Sequence, residues 1–139
     1  MALCWERNVF LSLKTSFNSE TENWPLFAWT HTSGTVFYPQ LLKRDHIWYY
    51  WIKAKTDPIS AAKFEVTAEI QNPRSGFKMM LIGPVHPIDM TVKEVLKTGH
   101  YLHMNNQNIE KLKTTGGDAE KCGYTDQLLL KFNVKDIDI

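Results

Sequence analysis

The chain is poor in cysteine, and this excludes the classes of protein that depend on many thiols. Two cysteines, Cys4 and Cys122, stand near opposite ends of the 139 residues. Two thiols cannot build a RING domain or another cysteine-rich zinc module, since each zinc ion in such sites takes four ligands. The stretch 1–10 is interrupted by Glu6, Arg7 and Asn8, so we see no secretion signal. We therefore expect reduced thiols in the cytoplasm or the nucleus.

The chain also lacks a strong excess of charge of one sign and a long hydrophobic run. Its formal net charge is +1, with no block of like charges, which argues against a nucleic-acid partner. Its apolar runs are too short to cross a bilayer, so we expect no membrane partner. A chain of 139 residues has the size of one domain. We expect a single excised or minimal domain over residues 1–139.

What the sequence does contain is strict alternation of apolar and polar residues. Near the C-terminus the apolar positions are Leu128, Leu130, Phe132 and Val134. Successive side chains of a strand point to opposite faces of a sheet, so this pattern predicts a half-buried antiparallel strand. Residues 64–70 show the same alternation. Apolar segments bounded by turn residues predict further strands at 9–13, 25–30, 36–42, 47–55, 77–82 and 101–104.

Two segments carry further information about the architecture. Residues 47–55 are apolar on both faces, so we expect this strand in the centre of a sheet or against another element. Thr91 and Glu94 match a capping box and Gly99 is suited to end the helix they begin. Asn105 or Asn106 can cap a second short helix. Roughly eight strands with two helical insertions predict an all-β antiparallel sandwich.

The order of these elements resembles the TRAF-like domain, in particular the substrate-binding domain of the seven-in-absentia ubiquitin ligases. The resemblance rests on five groups of segments. The first is Trp24 with segment 33–37, and the second is segment 50–52 with the connection 59–64 that leads to Ile70. The others are segment 85–89 with the capped helix, segment 101–104 with 108–112, and the closing segment 124–130. It covers residues 9–134. It is a similarity of spacing and apolar type, with few identical residues.

The resemblance implies an eight-stranded antiparallel sandwich with one or two short helices between late strands. It implies a non-catalytic domain that recruits substrates or partners for a ubiquitin ligase or signalling adaptor, by docking an extended peptide against a strand edge. Any ligase activity would belong to another domain or to a partner. A homodimer in the cytoplasm is expected, with no cofactor and no bound metal.

The family's peptide groove lies along the first two strands, near a tryptophan. Carried over to this chain, the resemblance assigns peptide contact to six residues: Phe10, Ser12, Trp24, Leu26, Phe27 and Trp29. Pro25 follows Trp24 directly and removes one backbone donor that strand pairing would use.

Two other classes of function remain open on the sequence alone. The aromatic group 48–51 could form an exposed stacking row of a carbohydrate-binding sandwich, although filling of the core is the interpretation we favour. An enzyme would need a cluster of polar residues with shifted pKa values, and no nucleophile or carboxylate motif points to one. His100 and His103 would face opposite ways on one strand, so they do not predict a metal site.

Overall fold

The computed structural model describes residues 4–13, 23–25, 28–31, 33–115 and 126–137. Within these ranges the protein is mostly β. The strands are β1 (Cys4–Leu13), β2 (Asn23–Pro25), β3 (Trp29–Thr30), β4 (Val36–Arg44), β5 (Ile47–Lys55), β6 (Phe64–Gln71), β7 (Lys78–Pro84), β8 (His86–Pro87), β9 (Leu102–Met104), β10 (Thr114–Thr115) and β11 (Asp126–Asp136). The helices are α1 (Pro58–Ala61), α2 (Val92–Thr98) and α3 (Asn106–Leu112).

The strands form two sheets. The first has the order β1-β11-β6-β7, with β10 also paired to β11. The second has the order β2-β4-β5-β8, with β3 paired to β4 and β9 paired to β5. All pairs are antiparallel except a two-residue parallel ladder between β5 and β8. The prediction of antiparallel sheets with few short helices is confirmed, whereas the eight-stranded TRAF-like arrangement stays a prediction.

The main core lies between the two sheets and follows from the alternation in the sequence. In β6 the residues Phe64, Val66, Ala68 and Ile70 are buried, and their neighbours along the strand are only partly covered. The register pairs Ile70 with Leu130 and Val66 with Val134, so β6 and β11 present their apolar residues on the same face. Phe37, Tyr50 and Ile52 of the other sheet complete this core.

A smaller core lies on the opposite face of the second sheet. Trp51 and Leu42 pack there against Val95 of α2, with the partly buried Tyr49 and Tyr101 around them. The helix therefore forms a partial third layer over β4 and β5. This explains why β5 is apolar on both faces. The prediction placed segment 47–55 in the centre of a sheet or against another element, and the structure shows both.

Local sequence signals define both longer helices. Thr91 caps α2 by accepting from the Glu94 backbone N–H at 3.2 Å, and the Glu94 carboxylate accepts from the Thr91 N–H at 3.1 Å. Gly99 ends the helix with a φ of 74°, a conformation that costs glycine little. Asn105 and Asn108 form the equivalent box on α3. No helix in the described ranges is long and apolar enough to span a membrane.

Candidate functional site

Four of the six predicted peptide-contact residues lie in described strands, and these strands belong to two different sheets. Phe10 and Ser12 lie in β1, where they pair in register with Leu129 and Gln127. Trp24 lies in β2 and pairs with Leu41 of β4. Leu26 and Phe27 lie outside the described residues. β1 and β2 are terminal strands of their respective sheets as far as the chain is described.

Trp29, the sixth residue, connects the two sheets. It lies in β3, it is partly buried, and its ring centroid is 5.4 Å from that of Phe132 in β11. In the second sheet β3 and β9 lie on opposite sides of the β4–β5 pair, and β9 contacts β7 of the first sheet. Because β1 is at the other end of the first sheet from β7, β3 and β1 lie on the same side of the sandwich. The structure thus brings the predicted strands to one side, while the indole of Trp29 packs against the main core. Its role in peptide contact stays a prediction.

The aromatic group of β5 is buried. Trp48, Tyr50 and Trp51 are 6%, 0% and 2% exposed, and Tyr49 is partly covered. These rings fill the two cores, and this confirms the interpretation of segment 48–51 as core residues. They do not form an exposed row for stacking on a sugar. Burial also raises the pKa of the Tyr50 hydroxyl far above its usual range, and this hydroxyl donates to the Lys131 carbonyl at 3.2 Å.

The opposite side of the sandwich offers a second strand edge. β7 is the terminal strand of the first sheet, and no strand of the described chain pairs with its free side. Its outward residues Met80 and Ile82 are 45% and 60% exposed. Met79 and Leu81 turn towards the main core and are partly buried. An edge strand of seven residues with exposed apolar side chains is a template for pairing with another chain.

A groove runs beside this edge, between β7 and β9. It has a volume of about 550 Å³. Apolar side chains form much of its wall, and its polar members are one histidine and two asparagines; the lining residues are Ile47, Met79, Leu81, Gly99, Tyr101, Leu102, His103, Asn105 and Asn108. None of them is an acid, a lysine or an arginine. The groove is therefore suited to apolar or neutral side chains.

Specific contacts hold the wall of the groove opposite β7. Tyr101 meets Tyr49 edge-on, with ring centroids 5.2 Å apart. The capping box engages Asn105 and Asn108 through their side-chain oxygens, at 2.8 and 3.0 Å from the two backbone nitrogens. Behind the wall, His86 Nε2 donates to the His100 carbonyl at 2.7 Å. Hydrogen bonds and ring contacts therefore fix the segments that form this wall of the groove.

The sequence predicted a strand at 77–82 but not that it lies at an edge. One feature of the sequence could have indicated the exposed face of this strand. Residues 79–82 are apolar without alternation, although the register of β6 and β7 leaves one face of this strand outside the core. Exposed apolar side chains on a terminal strand mark a place where another chain can pair. The groove itself depends on the approach of β9, which no local pattern indicates.

The histidines are not arranged as a metal site in the part of the chain described. No group of three His, Cys, Asp or Glu side chains lies close enough together there to hold a metal ion. His86 is 3% exposed. Burial lowers its pKa below the usual 6.5, the bond to the His100 carbonyl opposes that shift, and the charges of His100 and Lys53 add to it.

The lowered pKa of His86 predicts a loss of stability in acid. Above about pH 6.5 the imidazole is neutral in both states and costs nothing. As the pH falls below this value, the unfolded chain binds the proton first, so the free energy of unfolding decreases until the pH passes the folded-state pKa. Urea titrations at several pH values should show this decrease. His86→Gln keeps a donor for the His100 carbonyl and should weaken the pH dependence; an unchanged dependence would contradict the prediction.

No protein-family model matches this chain, and no curated protein matches it at a significant level.

Proposed function

We propose that this chain is a non-catalytic domain that binds an extended peptide segment of a partner protein along the edge of β7. The observation that carries the proposal is the combination of a terminal strand with exposed apolar side chains and a neutral groove beside it. The bound segment is an extended strand, because the backbone N–H and C=O groups on the free side of β7 are spaced to pair with another strand. Side chains of the added strand that point inward would enter the groove.

The composition of the groove supports an occupant with apolar residues at alternate positions. Successive side chains of an added strand point to opposite faces. One set would meet Met79 and Leu81 in the groove, and the other set would lie beside Met80 and Ile82. Both sets of contacts are apolar, so burial from water favours the complex on both faces. Pro84 has no backbone N–H, and this limits pairing at its end of the strand.

The resemblance to TRAF-like domains extends this proposal to a biological role. Such a domain would recruit substrates or partners for a ubiquitin ligase or a signalling adaptor, and it would act in the cytoplasm or nucleus as a homodimer. The resemblance assigns the peptide to the other side of the sandwich, near Trp24. The geometry supports β7 on positive grounds, because a terminal strand, two exposed apolar side chains and a neutral groove lie together there.

The proposal is tested by selecting binders from a random peptide library on the purified chain. We expect selected peptides to bind the variant carrying Met80→Lys and Ile82→Lys at least about tenfold more weakly, since lysines on an edge strand oppose pairing with another chain. Both side chains are exposed, so the variant should fold. Ile59→Lys is the matched control, because Ile59 is 79% exposed on α1. Fluorescence anisotropy of labelled peptides measures each affinity.

Two further measurements separate the possible outcomes. Methylation of the peptide's backbone nitrogens, one at a time, should reduce affinity at alternate residues if the peptide pairs as a strand. Trp24→Ala should leave the affinity unchanged if the peptide lies on β7. If Trp24→Ala loses binding while the Met80/Ile82 variant binds fully, the peptide site lies on the other side of the sandwich, near Trp24. A library that yields no binder would overturn the proposed function.

A further inference from the structure

One end of the β7 edge carries a concentration of positive charge, which we name the basic corner. It is formed by Arg74 in the hairpin loop before β7, Lys78 at the start of the strand, and Lys111 near the end of α3. Lys111 Nζ lies 5.6 Å from the ring centroid of Phe77, which is itself 36% exposed. The corner thus carries an accessible aromatic ring, which Lys111 approaches, in addition to its cations.

Backbone contacts hold the corner together. Asn72 Nδ2 donates to the Lys111 carbonyl at 3.0 Å and is 3.4 Å from that of Lys113, which fastens the end of α3 to the hairpin. Asn72 Oδ1 accepts from the backbone N–H groups of Arg74 and Ser75, at 2.9 and 3.2 Å. These hydrogen bonds hold the backbone of the loop that carries Arg74 and join it to the end of α3 that carries Lys111.

The local acids balance only part of this charge. Glu69 lies 3.7 Å from Lys78 and 3.8 Å from Lys131. Glu110 pairs with Lys113 at 2.9 Å. Among the described residues, no carboxylate lies within ion-pair distance of Arg74 or Lys111. Within the described part of the chain an excess of positive charge consequently remains at the Lys78 end of the edge, whereas the groove beside it is neutral.

We infer that the segment docked along β7 carries acidic residues immediately C-terminal to its apolar residues, and that these lie over the basic corner. This inference rests on the proposed function. The direction follows from the sheet, whose described pairs are all antiparallel. An added antiparallel strand runs opposite to β7 and ends beside Lys78. Charge complementarity then selects carboxylates at that end.

The inference is tested with synthetic labelled peptides that share the same central sequence of alternating valine and threonine. They differ only in their flanks: two aspartates at the C-terminal end, two aspartates at the N-terminal end, two lysines at the C-terminal end, or serines at both. We expect the peptide with C-terminal aspartates to bind about tenfold more tightly than the serine peptide at low salt, as two exposed ion pairs would allow. Higher ionic strength should reduce this advantage.

Variants of the protein identify the cations. Arg74→Gln with Lys111→Gln should remove most of the advantage of C-terminal aspartates without changing the affinity for the serine peptide. Lys97→Gln is the matched control, an exposed lysine of α2. Equal affinity of all four peptides would overturn the inference and leave the proposed function intact. A preference for N-terminal aspartates would overturn the stated direction. Failure of every peptide, together with an empty library selection, would remove the proposed function itself.

Discussion

Replacement of Trp51 by alanine is expected to lower the free energy of unfolding by about 4 kcal/mol, the usual range for removal of a large buried aromatic side chain. Trp51 is 2% exposed and packs with Leu42 and Val95 in the smaller core. Its Nε1 donates to Gln40 Oε1 at 2.9 Å. The substitution would open a cavity beneath α2 and leave the Gln40 side chain without this donor. Equilibrium urea unfolding followed by circular dichroism measures the loss.

Two further variants separate the contribution of the packed indole ring to stability from that of its hydrogen bond. Trp51→Phe keeps much of the volume and loses the donor, so it should cost less than the alanine variant. Gln40→Ala removes the acceptor together with the rest of the Gln40 side chain, leaves the indole in place, and should cost about 1 kcal/mol. Hydrogen exchange in α2 should accelerate most in the alanine variant, because the helix packs on the indole. A loss below about 1 kcal/mol for Trp51→Ala would show that the third layer contributes little to stability.

Lys53→Met is expected to lower the free energy of unfolding by about 2 kcal/mol, since hydrogen bonds made by a charged group contribute more than neutral ones. Lys53 is 7% exposed in the centre of the second sheet. Its ammonium donates to the Met90 carbonyl at 2.6 Å and lies 3.4 Å from that of Ile88. These bonds tie the segment before α2 to β5. Methionine has a similar length and cannot donate.

The desolvation of the buried Lys53 ammonium opposes the stabilisation by its hydrogen bonds. Burial lowers its pKa, while the charges of Asp89 and Glu94 raise it in part. The unfolded chain therefore binds this proton more readily than the folded chain at high pH, and stability due to Lys53 should rise as the pH rises towards about 10.5. Lys55→Met, on an exposed lysine of the same strand, is the control. Equal stability of Lys53→Met and wild type would show that desolvation cancels the hydrogen bonds.

Local structure followed closely from the sequence where chemistry acts between near neighbours. The segment 47–55 coincides with β5, and the capping box at Thr91 and Glu94 begins α2. The predicted turn residues 72–76 lie in the β6–β7 hairpin loop, with a φ of 80° at Gly76, and the loop extends by one residue to Phe77. Capping, turns and alternation need only a few residues in sequence, so they can be recognised without knowledge of the rest of the chain.

The candidate site could not be inferred in the same way. The sequence predicted a strand at 77–82, yet an edge is a property of the whole sheet. It arises because β11 returns to pair between β1 and β6, leaving β7 as a terminal strand. The groove requires β9 to approach β7 across the sandwich, and the basic corner requires α3 to meet the hairpin through Asn72. The predicted site at Phe10 and Trp24 came from a resemblance and awaits its own test.

The amino-acid order alone determined which segments extend, which face of each strand is apolar, and where the capped helices begin, because these depend on period and on neighbours a few residues away. Only the tertiary structure decided which strands end the sheets, which apolar side chains remain in water, and which cations gather at one end of β7. Those features join residues far apart along the chain, and they exist only after the two sheets have paired and packed.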